Sequence, residues 1–596
     1  MKNLWTADFE TTTDENDCRV WAYALCNIDN YEFIYGNNLD EFFEFCSRRE
    51  KNYKIYFHNL KFDGSYILSW LFNHGFTHIT DPKEKKNKTF TTLITDMGQF
   101  YSITVYFKLK GHHTNKVTFY DSLKIFPNFS VQRVADGFGL PISKLEIDYD
   151  EYRPVGHELT EQEVNYIRND VEIMARALHI MFQRKLTKMT IASDAMSNYK
   201  SMITGFRKKF PLLDETIDQD IRASYKGGFT YVNEIYKEVP IYRQGMVLDV
   251  NSLYPSCMKK PLPYGYPILF EGEYKYDPIY PLYVITFSCV FKLKEGKIPT
   301  IQLKDNFSFI PNEYLHSSND EIITLTLTKP DFELFKDHYD FWNVHYVGGW
   351  KFKKATGLFD EYIDHWISEK IRASKEGNAS LRTISKMLLN SLYGRFSING
   401  NARQKAPYMK DGIVKFKLLP AEKRETCYIP VGSFVTAYGR ERTIRTSQII
   451  KDYSIKKYGI DLYYYSDTDS IHTGITDEDL EELKDIIHVD DFELGFWAKE
   501  AVTEKALFIR QKCYIEEVDG KLEVTVAGLP KYLAPLITFD NFKKGFTTKG
   551  LSREEMVALA SGNGAKPEDI VKIQPKLRYK YVKGGVILAD TDFTIK

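Results

Sequence analysis

The chain has 596 residues, 43% hydrophobic, 27% charged and 15% aromatic, and its formal charge of -1 excludes a uniformly basic protein that coats nucleic acid while leaving room for local basic tracts. Seven cysteines without a CxxC pair or a Cys/His cluster exclude a zinc finger and a disulfide framework, and fit a reduced compartment. The first residues run straight to Asp8 without an apolar signal region, and no apolar run reaches the roughly 18 residues of a membrane span, so neither secretion nor a membrane location is expected.

Leu4–Thr11 reads as a strand whose alternation places Asp8 and Glu10 on one face. Ile55-Tyr56-Phe57 predicts a second strand, and the following His58-Asn59-Leu60-Lys61-Phe62-Asp63-Gly64 puts Asp63 just past its end, where a helix opens. Thr160-Glu161-Gln162-Glu163 has the pattern of a capping box, predicting a helix on which Tyr166 and Asp170 share a face. One such carboxylate alone is more often a surface group than a ligand. Together the set can hold a pair of divalent ions, and its oxygen ligands suit Mg²⁺ or Mn²⁺ rather than zinc. In this order the segments resemble the proofreading 3′–5′ exonucleases of the DEDD type, which sit on a ribonuclease H-like fold. The resemblance implies that Asp8, Glu10, Asp63 and Asp170 hold metals and that Tyr166 helps place the attacking water.

A second acidic set follows downstream. Met246-Val247-Leu248-Asp249-Val250 is a short apolar strand carrying an acid, and Asn251–Pro255 turns away from it. Arg382, Lys386, Asn390 and Tyr393 recur at helical spacing, so one face shows two cations, an amide and a ring. Beside a metal site that row suits a triphosphate, and by itself it would be a solvated basic face. Tyr463–Ile471 reads as a hairpin with Asp467 and Asp469 at its tip, where neighbouring carboxylates repel unless a cation neutralises them. From Arg382 to Arg424 ten Lys/Arg face only Asp411 and Glu422, and Lys566–Lys583 carries six basic residues with Tyr579 and Tyr581 interleaved. Cations for phosphates and rings for bases are what a nucleic-acid channel needs.

Asp249…Ser252-Leu253-Tyr254-Pro255, Lys386…Asn390-Ser391…Tyr393-Gly394 and Asp467-Thr468-Asp469-Ser470 resemble three motifs of the family B DNA polymerases. Tyr225-Lys226-Gly227-Gly228 is similar to that family's template-contacting linker, and Lys512-Cys513-Tyr514 to its Lys-x-Tyr motif at the primer end. Order and spacing from Asp8 to Tyr514 resemble the protein-primed subgroup. Arg372 and Arg382 stand where the resembled phage enzyme has lysines, Arg395 follows Gly394 in place of lysine, and Glu146 replaces an aspartate. From about Leu522 to Lys583 the match thins, and Ser552–Lys566 does not align.

The resemblance implies an α/β (α+β) chain, with a ribonuclease H-like 3′–5′ exonuclease domain (1–189) followed by a right-hand polymerase. Its parts would be palm (190–260 and 428–535), fingers (361–397) and thumb (536–596). Two insertions are implied: 261–360, which docks a terminal protein, and 398–427, which encircles the template. It further implies two Mg²⁺ per active site, with Mn²⁺ as a substitute. Asp249 and Asp469 would bridge the polymerase metals, with the Val250 carbonyl as an extra ligand and Asp467 in support. Tyr254, Arg372, Arg382, Lys386, Asn390 and Tyr393 would meet the nucleotide, Tyr254 excluding a 2′-hydroxyl. DNA contacts are implied at Thr11, His58, Asn59, Phe62, Ser122, Leu123, Tyr225, Gly227, Gly228, Ser252, Gly394, Thr468, Lys512 and Tyr514. The expected protein is a monomeric, phage-encoded DNA polymerase with proofreading. It would act on primer, template and dNTPs in the cytoplasm of a bacterial host and be primed by a terminal protein. The alternative is an ordinarily primed enzyme of the same family.

Overall fold

A computed structural model describes residues 3–48, 52–110, 113–149, 151–302 and 314–596. Residues 303–313, within the first expected insertion, lie outside the described residues. The chain is mixed α/β, with its two acidic sets on two different sheets. The first is eight-stranded, in the order 33–36, 20–27, 4–11, 54–57, 113–121, 100–110, 89–94, 77–78. Leu4–Thr11 pairs antiparallel with Val20–Asn27 and parallel with Lys54–Phe57. One flank of this sheet carries the helix Leu60–Asn73 and another the helix Glu161–Gln183. The second helix starts where its sequence directs: Thr160 accepts from the Glu163 amide, and the Glu163 carboxylate accepts from the Thr160 amide.

The second sheet has seven strands in the order 521–526, 513–518, 497–510, 245–250, 470–473, 463–467, 230–232. The strand carrying Asp249 is the central, fourth strand, flanked by Ser470–Thr473 and Trp497–Arg510. Behind it runs the 30-residue helix Ile429–Tyr458, almost wholly buried over its first half. One core joins Trp21, Tyr56, Val171 and Leu178 of the first unit to Leu248, Leu392, Phe434 and Tyr463 of the second. Burying such side chains stabilises by about 1.5–3 kcal/mol each, so the two acidic sites are held in one packed body.

Leu262–Glu271, Tyr339–Ala355, Leu282–Leu293 and Ile323–Thr328 form a separate four-stranded sheet, backed by the helix Lys329–His338. The helices Asp360–Lys375 and Ala379–Phe396 are joined by a short turn. Lys405–Lys410 and Ile413–Leu418 form a hairpin on a base made by Asn401–Ala402 and Glu422–Lys423. The unaligned Ser552–Lys566 contains the helix Arg553–Gly562, capped by Ser552 and Glu555, inside a small C-terminal core with Leu533, Phe542 and Ile573. The last hairpin, Lys576–Val582 with Gly585–Thr591, does not stay there: Val582, Val586 and Ile587 join the core of the first sheet, together with Val414. Among the described residues no helix is long and apolar enough to cross a membrane.

Candidate active sites

Asp8 and Glu10 project from one face of their strand opposite Ala24 and Ala22, small neighbours that leave space for them. Ligand atoms of Asp8, Glu10 and Asp170 lie within 4.8 Å of one another. Asp63, on the first turn of its helix, accepts from the Phe9 amide at 3.2 Å, which brings it to the same strand. Burial, then Asp170, pushes the Asp8 carboxyl up to about 7. Burial, then Asp8, raises Glu10 and Asp63 well above the usual carboxylate range. Lys144 partly offsets this charge, its Nζ 2.5 Å from Asp170 Oδ2, while buried Asp170 Oδ1 has no hydrogen-bond partner among the described residues. Repelling, buried oxygens with one orphaned lone-pair donor are what a divalent cation satisfies.

Tyr166 shares the helix face with Asp170, and its hydroxyl lies 2.5 Å from that of Tyr149. Burial, then Glu10 and Asp170, holds the Tyr166 phenol far above its usual range, so it stays a neutral hydrogen-bond group. Lys144 and Tyr149 were not singled out in the sequence, because the irregular stretch carrying them has no period to read. Buried Arg153 shapes that stretch, donating Nη1 to the carbonyls of Asp148 and Glu151 at 2.7 and 2.8 Å and Nε to Glu163 at 2.8 Å.

The expected single-strand contacts gather at the end of Lys54–Phe57. Asp121 accepts from the amides of Asn59 and Leu123, and Ser122 donates to the Phe57 carbonyl. His58 has both ring nitrogens engaged, with Ser122 Oγ at 2.9 Å and the Phe129 carbonyl at 2.8 Å, so its position serves to brace this turn. The Thr11 side chain hydrogen-bonds Tyr66. Asn59 adopts a left-handed φ of 80°, and Phe62 is half-buried against the core of the first sheet.

At the second site Asp249 pairs in register with Ser470, and the Val250 amide donates to the Asp469 carbonyl at 2.8 Å, which sets the two acids side by side. Burial, then Asp469 and Glu500, pushes Asp249 up to about 7 against the field of Lys386. Asp469 is raised by burial, with Asp467 and Glu500 adding to it. Asp467 is already engaged: Lys512 Nζ sits 2.9 and 3.1 Å from its oxygens, and Tyr465 and Thr230 donate to it. Glu500, also missed in the sequence, reaches this site from the neighbouring strand Trp497–Arg510.

Arg382, Lys386 and Asn390 form one exposed row on Ala379–Phe396. Lys370 of the preceding helix faces that row: burial, then Lys386 and Arg382, lowers its ammonium pKa. Arg372 instead lies against Glu369, at 2.6 and 3.2 Å. The rings of Tyr254 and Tyr393 stack 4.2 Å apart, and a Cβ on Gly439 would come within 3.3 Å of Tyr254. Ser252, at a φ of 53°, turns the strand into the helix that carries Tyr254.

Gly228 lies so close to the hairpin tip that a Cβ would stand 2.6 Å from the Thr468 side chain. Arg440 holds this linker, donating Nη1 to the Lys226 and Gly227 carbonyls, each at 2.7 Å, while pairing with buried Asp331. Tyr225 lies beside Tyr393, whose phenol it helps raise, and exposed Gly394 follows in the same helix. Lys512 takes a φ of 54°, and the Tyr514 ring packs 5.0 Å from that of Tyr465.

A family model described as DNA polymerase type B, organellar and viral, matches residues 45–480. The DNA polymerases of Bacillus phages M2 and phi29 are each 42% identical to this chain across all of it, covering 100% and 99% of those proteins. That of Streptococcus phage Cp-1 is 31% identical over the whole chain. Among solved structures, phi29 DNA polymerase complexed with primer-template DNA and incoming nucleotide substrates superposes with a TM-score of 0.88 at 39% identity, with both chains fully covered.

Proposed function

The chain belongs to the type B DNA polymerases of organelles and viruses, and from that premise we propose that it replicates a linear phage-type genome from a terminal-protein primer while proofreading with its first domain. It is a DNA-directed DNA polymerase. The observation that supports two opposed activities is the separation of two carboxylate centres onto two sheets, with the exposed row of Arg382 and Lys386 beside the Asp249 centre. A triphosphate needs such cations, and a nuclease acting on a strand end does not.

In this reading residues 1–189 form the ribonuclease H-like exonuclease, and the seven-stranded sheet is the palm of the right hand. The helices at 361–397 are the fingers, 536–596 is the thumb, 261–360 docks the terminal protein and 398–427 surrounds the template. Asp8, Glu10, Asp63 and Asp170 would hold one pair of divalent ions, and Asp249, Asp469 and the Val250 carbonyl the other. When bound, Mg²⁺ or Mn²⁺ supplies activation of the attacking oxygen and charge stabilisation on the leaving oxygen.

The rest is done by the chain itself. Lys386, Arg382 and Lys370 draw the triphosphate to the Asp249 centre and neutralise it, with Asn390 as a neutral donor beside them. Arg372, bound to Glu369, would reach it only after exchanging partners. Tyr254, buttressed by Tyr393 and by the close helix at Gly439, lies under the sugar. Lys512 keeps Asp467 neutralised, so Asp467 supports the hairpin tip instead of competing for metal. At the other centre Lys144 orients Asp170, while Tyr166 and Tyr149 hold the water. The Gly228–Thr468 contact couples the template-facing linker to the catalytic hairpin.

The test is deoxynucleotide incorporation onto a purified terminal protein with its matching template end, alongside a conventional primed template. Incorporation on the primed template but never on a terminal protein would leave an ordinarily primed polymerase. Absence of both would overturn the reading.

A further inference from the structure

We infer that the buried pair His472–Glu516 is a positioning element of the polymerase centre: it fixes the span between the catalytic hairpin and the turn carrying Lys512, and through that the hold on the primer's 3′ end. The inference rests on the reading of Lys512 and Tyr514 as primer contacts.

In the hydrogen-bonded order of the seven-stranded sheet, two strands lie between Ser470–Thr473, which carries His472, and Cys513–Val518, which carries Glu516. Three strand spacings would hold them about 14 Å apart in a flat sheet. Yet His472 Nδ1 and Glu516 Oε1 share a hydrogen bond of 2.8 Å, and the two residues are only 4% and 5% exposed. They meet because Trp497–Arg510 changes neighbours. It pairs with the Asp249 strand only as far as Thr503, and then Ala506 and Phe508 bond to Ile241 and Glu238. The sheet bends there, and the rings of Tyr465, His472, Phe508 and Tyr514 fill the bend with centroids 5.0–5.7 Å apart.

Ring packing is non-directional and lets neighbouring strands slide. A hydrogen bond has a preferred length and angle, so the pair pins the bend at one register. Among the described residues His472 Nε2 has no hydrogen-bond partner, and the bond from Nδ1 to Glu516 is the one that orients the imidazole. A buried pair of this kind adds little net stability over apolar side chains of equal volume, so what it contributes here is geometry. Alternation puts Tyr514 and Glu516 on one face of their strand, and Lys512 lies in the turn just before it. Tyr465, directly across from His472, accepts from the Lys512 amide at 3.0 Å and donates to Asp467 Oδ2 at 3.2 Å. Lys512 Nζ then reaches Asp467 across the same gap. If the bend relaxed, Lys512 would withdraw from Asp467, and the strand bearing Tyr514 would shift with it.

The experiment titrates the burst of single-nucleotide incorporation in Mg²⁺, first with primed template and then with dNTP, to give a Kd for each. The full-length proteins are wild type, His472→Asn, and His472→Phe combined with Glu516→Met. The double variant replaces the pair by apolar groups and should melt no earlier than wild type. It should nevertheless raise Kd for primed template about tenfold, the order of one lost charge-assisted contact, with Kd for dNTP held within about twofold. His472→Asn places an amide nitrogen where Nδ1 stands but packs less well, so it should melt earlier and still keep most of the primer affinity. An unchanged primer Kd in the double variant overturns the inference, as does a primer Kd that follows the melting temperature across the set. Lys512→Ala is the control: if it leaves the primer Kd unchanged, the primer-contact reading of Lys512 fails, whatever His472 does. Should the double variant melt early, Glu516→Gln, which keeps an acceptor for the imidazole, is compared with Glu516→Met, which does not. Weaker primer binding in Glu516→Met alone supports the inference, and equal values in the two overturn it.

Discussion

Replacing Asp249 with Asn should abolish nucleotide incorporation and yet make the metal-free protein more stable. The Asp249 carboxyl is half-buried beside Asp469 and Glu500, and its pKa is raised from 3.8 to about 7. A carboxyl whose folded pKa exceeds its unfolded one holds its proton more tightly when folded. Its charge then costs nothing below about pH 4, costs more as pH rises between 3.8 and 7, and imposes the full penalty above. Three units correspond to about 4 kcal/mol, and since the group is partly solvated, screening reduces this to about 2 kcal/mol. Asn keeps the shape and removes the charge. In EDTA at pH 8 the melting transition should rise by several degrees, at about 2–4 °C per kcal/mol for a unit of 150–250 residues. At pH 5 the folded carboxyl is mostly protonated while the unfolded one is mostly charged, so the gain should shrink to about two-fifths of its pH 8 value, and below about pH 4 it should vanish. Mg²⁺, which neutralises the wild-type cluster, should stabilise wild type more than the variant. Differential scanning fluorimetry at the two pH values, with EDTA and with Mg²⁺, measures all of this. An Asn variant no more stable than wild type in EDTA at pH 8, or a gain that persists undiminished at pH 5, would refute the electrostatic reasoning.

Asp8→Ala with Asp63→Ala should remove 3′–5′ degradation by orders of magnitude, retain synthesis and raise misincorporation, read from gel assays on single strands and on mispaired primers. Tyr254→Val should admit ribonucleotides, because the stacked ring under the sugar is replaced by space; equal dATP-to-ATP discrimination in both enzymes would remove it from that role. Lys370→Ala should raise KM for dNTPs about tenfold, more than Arg372→Ala does, since Lys370 faces Lys386 while Arg372 is held by Glu369; the reverse ranking in steady-state kinetics would restore Arg372 as the triphosphate ligand. Deleting Asn401–Lys423 with a short Gly/Ser closure should spare synthesis on open single strands and cripple extension through duplex. Because Phe416 packs on Phe100 and Tyr581, a melting curve should accompany that assay. A deletion variant still displacing long duplex from one binding event would show that the hairpin is no clamp.

Much of the chemistry was legible because it is written at short range. Alternation over Leu4–Thr11, the Thr160 capping box, the helical spacing of Arg382, Lys386 and Asn390, and two acids at a hairpin tip each depend on a few neighbouring residues, and each element formed where those residues direct. Lys144 and Tyr149 were not legible, since an irregular segment has no period and its course is set by Arg153 bonding to its carbonyls. That Lys370 faces Lys386 while Arg372 lies against Glu369 depends on which side of a helix meets a second helix, and a single helix does not contain that. Glu500 gained its meaning from strand pairing beside Asp249. The seating of the last hairpin on the first sheet depends on Gly584 and Gly585 fitting against Cys18 and Tyr66 more than 500 residues away. Local patterns determined which groups this protein brings to each centre, whereas close packing between distant segments decided which of them meet, because steric fit and burial exist only once the chain has folded.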